Sequence, residues 1–168
     1  MKLKTLLICA LLFVFSARVV AQDQIKENIK AEAEKMMSAF KTNNYSILVK
    51  YTHPKIIDLM GGPEEAPKLI KQSLEGIEGL ESIEASVGEV LQLVDNGNEM
   101  QTVITKFLVL KMQGMTYSSK NHLIGISADK GKNWTFFDGN GFGEDLIREM
   151  FPNLSKDLVI PAKESSVK

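Results

Sequence analysis

The two histidines are the residues of this chain best suited to bind a metal or to move a proton. His53 and His122 lie in separate segments, and neither has a second histidine four residues away or a cluster of carboxylates beside it. Metal sites need such a helical pair or convergent carboxylates. We therefore predict structural roles for both histidines and no metal site. His53 precedes Pro54, so it could cap a helix end or lie at the rim of a cavity.

Nucleophilic and phosphate-binding chemistry also lacks its usual motifs. No serine is flanked by the glycines of a nucleophile elbow. The nearest approach to a phosphate loop, GNGFG at 139–143, has no following Lys-Ser/Thr pair and is interpreted as a linker. The only cysteine, Cys9, lies in the segment that we expect to be removed. These patterns predict that the protein works without a cofactor, a thiolate or a disulfide.

One stretch matches a known hairpin motif. Residues 127–134, SADKGKNW, follow the Asp-box pattern S-x-D-x-G-x-x-W that recurs in sialidase propellers. A sialidase needs several such boxes and a cluster of arginines for the substrate carboxylate, whereas only Arg148 follows the first 21 residues, so this activity is excluded. The motif predicts a structural turn in which Asp129 bonds backbone N–H groups, Gly131 takes a positive φ and Trp134 packs beneath.

The first 21 residues are typical of a signal peptide. Lys2 and Lys4 precede a short apolar run at 6–15, and the segment closes on Ala21 before the polar Gln22. The run is shorter than the ~20 residues that a membrane-spanning helix needs. We predict cleavage after Ala21 and export to the periplasm or the medium.

Removal of residues 1–21 leaves 147 of the 168 residues, with seventeen basic and twenty-one acidic side chains and a net charge of −4. This acidic balance, without a dense basic run, disfavours nucleic acid as a partner. No second long apolar segment predicts a membrane span. The length fits one domain, which we place at 22–152, followed by a tail at 153–168 whose polar end, 161–168, is expected to be disordered.

The first half of the remaining chain reads as helical. Apolar residues at three-to-four-residue spacing predict a helix over 23–41, a shorter one over 45–51, and a third over 63–78 that begins at Pro63. Between them, 55–60 is short, rich in β-branched residues and followed by two glycines, which favours a strand.

The second half reads as antiparallel strands joined by tight turns. Alternation predicts strands at 80–94, 100–112, 115–127 and 133–138, with a bulge at Gly88 and turns at 95–98 and 113–114. The apolar run 107–110 predicts that the second strand is covered on both faces. A short helix at 144–151 follows. The order predicts an α+β fold, with N-terminal helices packed on a curved antiparallel sheet and a short C-terminal helix.

This order resembles the nuclear transport factor 2-like superfamily, which includes the SnoaL-like cyclases and the ketosteroid isomerases. The resemblance covers 23–140 and rests on the first helix at 23–43, the segment YTHPKIIDLMGG at 51–62, the helix at 63–78 and the four strands from 80 to 138. It implies a cone-like fold with a deep cavity between the sheet and the helices. Family enzymes place a carboxylate and a tyrosine in that cavity, which suits proton abstraction beside a carbonyl.

The resemblance implies two functions. In the first, an exported monomer or homodimer binds a small apolar or amphipathic molecule, or a protein partner, without converting it. In the alternative, the cavity holds a cofactor-free isomerase, dehydratase or hydrolase, with Asp58 or Asp138 as the base and Tyr51 or His53 as the orienting group. The polar residues that could point inward are Tyr51, His53, Asp58, Tyr117 and Asp138. Of these, the residues expected to bind a ligand are Tyr51, His53, Tyr117 and Asp138.

Overall fold

The computed structural model describes the backbone of residues 2–167 and the side chains of residues 22–167. The predicted signal peptide at 1–21 lies outside the described side chains. The helices are α1 (Lys2–Lys41), α2 (Tyr45–Tyr51), α3 (Pro54–Leu59), α4 (Ala66–Glu75) and α5 (Glu144–Met150). The strands are β1 (Leu80–Asp95), β2 (Met100–Met112), β3 (Met115–Ser127), β4 (Thr135–Asp138) and β5 (Glu164–Val167). The fold is α+β, with helices packed on an open, curved, antiparallel sheet, as the sequence predicts.

The boundary between α1 and α2 follows from two asparagines. Asn43 takes a left-handed conformation with φ of 55°, which ends α1, and the Asn44 side chain accepts a hydrogen bond from Ile47 N at 3.2 Å, which caps α2. α2 lies where the apolar spacing predicts it. α1 ends at the predicted residue, Lys41, but it begins at Lys2 and not at residue 23, so the helix also includes the segment predicted to be cleaved. Among the helices of the described residues, none combines the length and apolar character that a membrane crossing needs.

The strand predicted at 55–60 is wrong, because this segment forms α3. His53 Nδ1 accepts a hydrogen bond from Lys55 N at 3.2 Å, and Pro54 fills the first turn, where a missing N–H costs nothing. The turn also buries Ile57. A local cap and one buried side chain thus outweigh the β-branched propensity of the segment.

The start predicted for the next helix is also wrong. Pro63 lies in a turn, and α4 begins at Ala66 with Pro67 in its first turn. Ala66 is fully buried, which fixes where the helix meets the rest of the protein.

The sheet has the order β1-β2-β3-β4, and β5 pairs with β3 beside β4. Strands β1, β2 and β3 match their predicted bounds to within one residue. The register shifts between Val87 and Val90, which confirms the bulge at Gly88. Gly97 has φ of 88° in the predicted turn, where Asp95 Oδ1 accepts a hydrogen bond from its N–H at 2.8 Å.

Alternation along the central strands separates two apolar clusters. Even positions of β2 and odd positions of β3 carry Ile104 and Leu123 on the face that packs on α1, which we call the inner face. The opposite, outer face carries Val103 and Ile124 and packs on α5 and the segment after it. The inner cluster includes Ile29, Ala33, Met36, Met37, Trp134 and Phe136, and the outer cluster includes Phe137, Ile147, Phe151, Leu154 and Leu158.

The covered part of β2 is not where the apolar run predicts it. The fully buried stretch is 101–105, whereas Phe107 on the outer face is 42% exposed. The outer layer formed by α5 and 151–160 packs on Val103 and not on Phe107. The apolar run at 107–110 therefore begins beyond the part of β2 that this layer buries.

The prediction of disorder for 161–168 is wrong for 164–167, which forms β5. β5 pairs with Tyr117–Lys120 of β3, and Lys120 Nζ lies 2.9 Å from Glu164 Oε1. β4 covers β3 only from Leu123 to Ile126. The remaining edge of β3 offers unpaired backbone groups, which even a polar segment can pair with.

Candidate functional site

The candidate site is a cavity of about 280 Å³ between the helices and the inner face of the sheet. Its helical wall consists of apolar side chains from α1, α2 and α4 and from the residue after α3: Met36, Met37, Phe40, Leu48, Met60 and Ile70. Its sheet wall includes Ala85, Leu108 and Leu123, and Thr52 completes the lining together with one ion pair.

That ion pair joins Lys106 of β2 to Asp138, the last residue of β4. Lys106 lies on the inner face because it occupies an even position between Ile104 and Leu108, and Asp138 shares that face as the cross-strand partner of Leu123. The Lys106 side chain is 12% exposed and the Asp138 side chain 36%, so the carboxylate lies nearer to solvent. Among the described residues that line the cavity, no other side chain is charged.

Asp138 is held by a second contact. Its Oδ1 accepts a hydrogen bond from Asn140 N at 2.8 Å, while its Oδ2 contacts Lys106 Nζ. Both carboxylate oxygens are therefore engaged, and the charged end of the cavity wall is fixed from two sides.

Asn121 lies beside the pair as the direct cross-strand partner of Lys106. Its Nδ2 donates to Ser119 Oγ at 3.4 Å, and its Oδ1 is buried without a hydrogen-bond partner among the described residues. An unpaired buried oxygen costs ~1–3 kcal/mol, and such groups are rare in stable folds. The polar part of the inner face thus extends from Lys106 of β2 to Asn121 of β3.

The other sequence-predicted site residues do not converge on this cavity. Asp58 is exposed on α3, and Tyr51 packs against the inner cluster without lining the cavity. Tyr117 lies far along β3, with Lys163 Nζ 5.6 Å from its ring centroid. Of these candidates, the structure brings only Asp138 into the cavity.

His53 belongs to the outer side of the sheet. Its ring meets Phe151 edge-on with centroids 5.0 Å apart and Phe137 at 6.0 Å. Burial lowers the pKa of His53 from its usual 6.5, and the charge of Lys55 adds to this while that of Glu99 opposes it. The prediction that His53 caps a helix is confirmed, since Nδ1 accepts from Lys55 N.

Sequence reasoning missed Lys106 and Asn121. The signal was present, since Lys106 interrupts the even, core-facing positions of β2 between Ile104 and Leu108. A lysine in such a row needs a partner for its charge.

The Asp-box has the geometry that its pattern predicts. Asp129 Oδ1 accepts hydrogen bonds from Ser127 Oγ, Lys132 N and Asn133 N at 2.8, 3.1 and 2.9 Å. Gly131 has φ of 83°, and Trp134, 2% exposed, donates from Nε1 to Gly131 O at 3.1 Å. Asn28 of α1 donates to the same carbonyl at 2.8 Å, so the turn also holds the first helix.

Two larger depressions lie on the surface around the α1–α2 turn. They measure about 430 and 470 Å³ and are lined in part by charged side chains, among them Lys41, Glu75 and Glu81 in one and Lys68 and Lys71 in the other. Among the described residues, no three histidine, cysteine or acidic side chains come together as a metal site would require. The apolar cavity on the inner face is therefore the better candidate.

Comparison of the chain with protein-family models, with curated proteins and with solved structures gave no match. The geometry of the cavity therefore carries the functional inference.

Proposed function

We propose that this protein is an exported binding protein that holds a small apolar or amphipathic molecule in the cavity on the inner face without converting it. The carrying observation is an apolar cavity of about 280 Å³ in which the charged side chains, within the part of the chain whose side chains are described, are one mutually neutralising pair. Ligand sites are typically apolar clefts with a few fixed polar groups. The element order that resembles the nuclear transport factor 2-like superfamily supports the same proposal, because that fold encloses a cavity at this place.

The test is to fill the cavity and measure binding. Ala85 is 4% exposed and lines the cavity, so Ala85→Leu adds bulk to its wall. Calorimetric titration with 1-octanol should show binding to the unaltered protein and at least tenfold weaker binding to the variant. Ser86→Leu is the matched control, because Ser86 is exposed on the adjacent position of the same strand and should leave affinity unchanged.

A second variant keeps the test decisive if Ala85→Leu does not fold. Leu108→Phe enlarges another wall residue, and its effect should parallel that of Ala85→Leu. Unchanged affinity in both folded variants would rule out this cavity as the site. Binding would then be sought on an outer surface, as expected of a module that binds a protein partner.

A second candidate function follows from the position of Asp138. A carboxylate that lines an apolar cavity beside an ammonium group could remove a proton next to a carbonyl while Lys106 stabilises the developing oxyanion. This is the cofactor-free isomerase or dehydratase alternative, with Lys106 in the place expected for Tyr51 or His53. Deuterium uptake by cyclohexanone in D₂O, catalysed by the protein but not by Asp138→Asn, would support it, and equal uptake with both would exclude it for this ketone.

A further inference from the structure

We infer that the cavity prefers an uncharged amphiphile whose head group carries an oxygen acceptor, such as an alcohol, ketone, ester or amide, over a carboxylate or an ammonium with the same apolar body. This inference rests on the proposed binding function. The carrying feature is the Lys106–Asp138 pair, since the other lining side chains of residues 22–167 are uncharged.

The hydrogen bonds that the pair already makes show which head-group atom of a ligand the pair can bind. Asp138 uses one oxygen for Asn140 N and the other for Lys106 Nζ. A lysine ammonium has three N–H donors. Among the described residues, Asp138 is the only hydrogen-bond partner of Lys106 Nζ, so donors remain for a ligand oxygen.

The charge of the pair decides against ionic head groups. A carboxylate approaching Lys106 would also approach Asp138, and an ammonium approaching Asp138 would also approach Lys106. Either ion would meet a like charge a few Å away and would leave one charge unbalanced in a wall where Lys106 is only 12% exposed. A neutral oxygen accepts from Lys106 and leaves the pair intact.

The size of the cavity limits the apolar body of the ligand, and the helical wall limits it less strictly in shape. The cavity volume, about 280 Å³, lies just below the ~300–1,000 Å³ range of ligand pockets. Met36, Met37 and Met60 supply flexible, polarisable side chains to this wall, which tolerate bodies of different shape. A short alkyl chain or a single ring fits these limits.

The experiment compares four probes with closely matched bodies: 1-octanol, octanamide, octanoate and octylammonium, titrated calorimetrically into the protein at pH 7. We expect the alcohol and the amide to bind at least tenfold more tightly than either ion. Binding of either ion as tight as that of 1-octanol would overturn the inference and leave the binding function standing. If none of the four binds, the proposed function fails, and the inference fails with it.

Two variants test the role of the pair. Lys106→Met removes the ammonium and should raise the affinity for octylammonium relative to 1-octanol at least tenfold. Asp138→Asn should do the same for octanoate. Lys111→Met is the control, since Lys111 lies on the outer face of the same strand and is exposed, so the ranking of the four probes should not change. An unchanged ranking in whichever pair variant folds would also overturn the inference.

Discussion

Two polar side chains of this protein differ in how many of their hydrogen-bonding atoms have partners. Asp129 accepts from three groups at one oxygen and from the Asn133 side chain at the other, which ties 127–134 into one turn. Asn121 is the opposite case, with one buried oxygen that has no partner among the described residues. The hydrogen bonds of Asp129 are explained by local structure alone, whereas Asn121 lies next to the proposed ligand site.

Asp129 should make stability depend on pH under acidic conditions. Hydrogen bonds from Asn133, its backbone first and then its side chain, lower the pKa of Asp129 from 3.8 to about 2. Because the folded pKa lies below the unfolded one, this contribution is complete above about pH 4 and is lost as pH falls towards 2. Denaturant titrations of the protein and of Asp129→Ala, followed by Trp134 fluorescence, should therefore differ in stability at pH 7 and converge near pH 2.

The control is Asp23→Ala, which removes an exposed carboxylate of α1 and should keep the slope of the unaltered protein. Trp134 should emit at short wavelength when folded, because it is 2% exposed. Asp129→Ala should leave 1-octanol binding unchanged. Red-shifted emission open to quenchers, or a loss of affinity without loss of stability, would instead make this turn a binding surface.

At the scale of elements, short segments follow their caps and neighbours more than their propensities. α3 is six residues long and contains Ile56 and Ile57, yet a histidine cap, a proline and the burial of Ile57 make it a helix. β5 is polar and short, yet an open edge of β3 receives it. Elements of this length are stabilised mainly by tertiary contacts.

The cap of α3 should weaken when His53 is protonated. Burial lowers the folded pKa of His53 below 6.5, so its contribution to stability is present above pH 6.5 and is lost as pH falls through the folded value. Protonated Nδ1 also cannot accept from Lys55 N. The free energy of unfolding should thus decrease from pH 7.5 to pH 5, and His53→Asn, which retains a capping acceptor without titrating, should show a smaller decrease. Equal slopes in the two proteins would contradict this role.

At the scale of the whole molecule, one sheet carries two apolar layers that share the same strands. Phe136 and Phe137 are neighbours in β4, and the first packs in the inner cluster with Trp134 while the second packs in the outer cluster with Ile147. If either layer detached from the sheet, it would expose the strands on which the other layer also packs. We therefore expect one cooperative unfolding transition.

Ile147→Ala tests this coupling. Ile147 is fully buried in the outer cluster, and its truncation should lower the free energy of unfolding by ~2–5 kcal/mol. Trp134 fluorescence, which reports on the inner cluster, should shift to lower denaturant concentration together with far-UV circular dichroism. Leu146→Ala, at a neighbouring position that is 45% exposed, should have a much smaller effect. A dichroism transition that separates from an unchanged fluorescence transition would mean that the layers unfold independently.

The sequence by itself determined the features that depend on neighbours along the chain. The bounds of β1, β2 and β3, the bulge at Gly88 and the turn at Asp129 follow from side-chain alternation and from residues that tolerate or bond a turn. The tertiary structure alone decided which part of β2 is covered, that 55–60 is a helix, that 164–167 is a strand, and that Lys106 meets Asp138. Lys106 and Asp138 are 32 positions apart, and their contact depends on the register of β2, β3 and β4. Strand register and the burial of a strand face arise from packing between segments that are distant in sequence. A local sequence pattern does not indicate which distant segment packs against it.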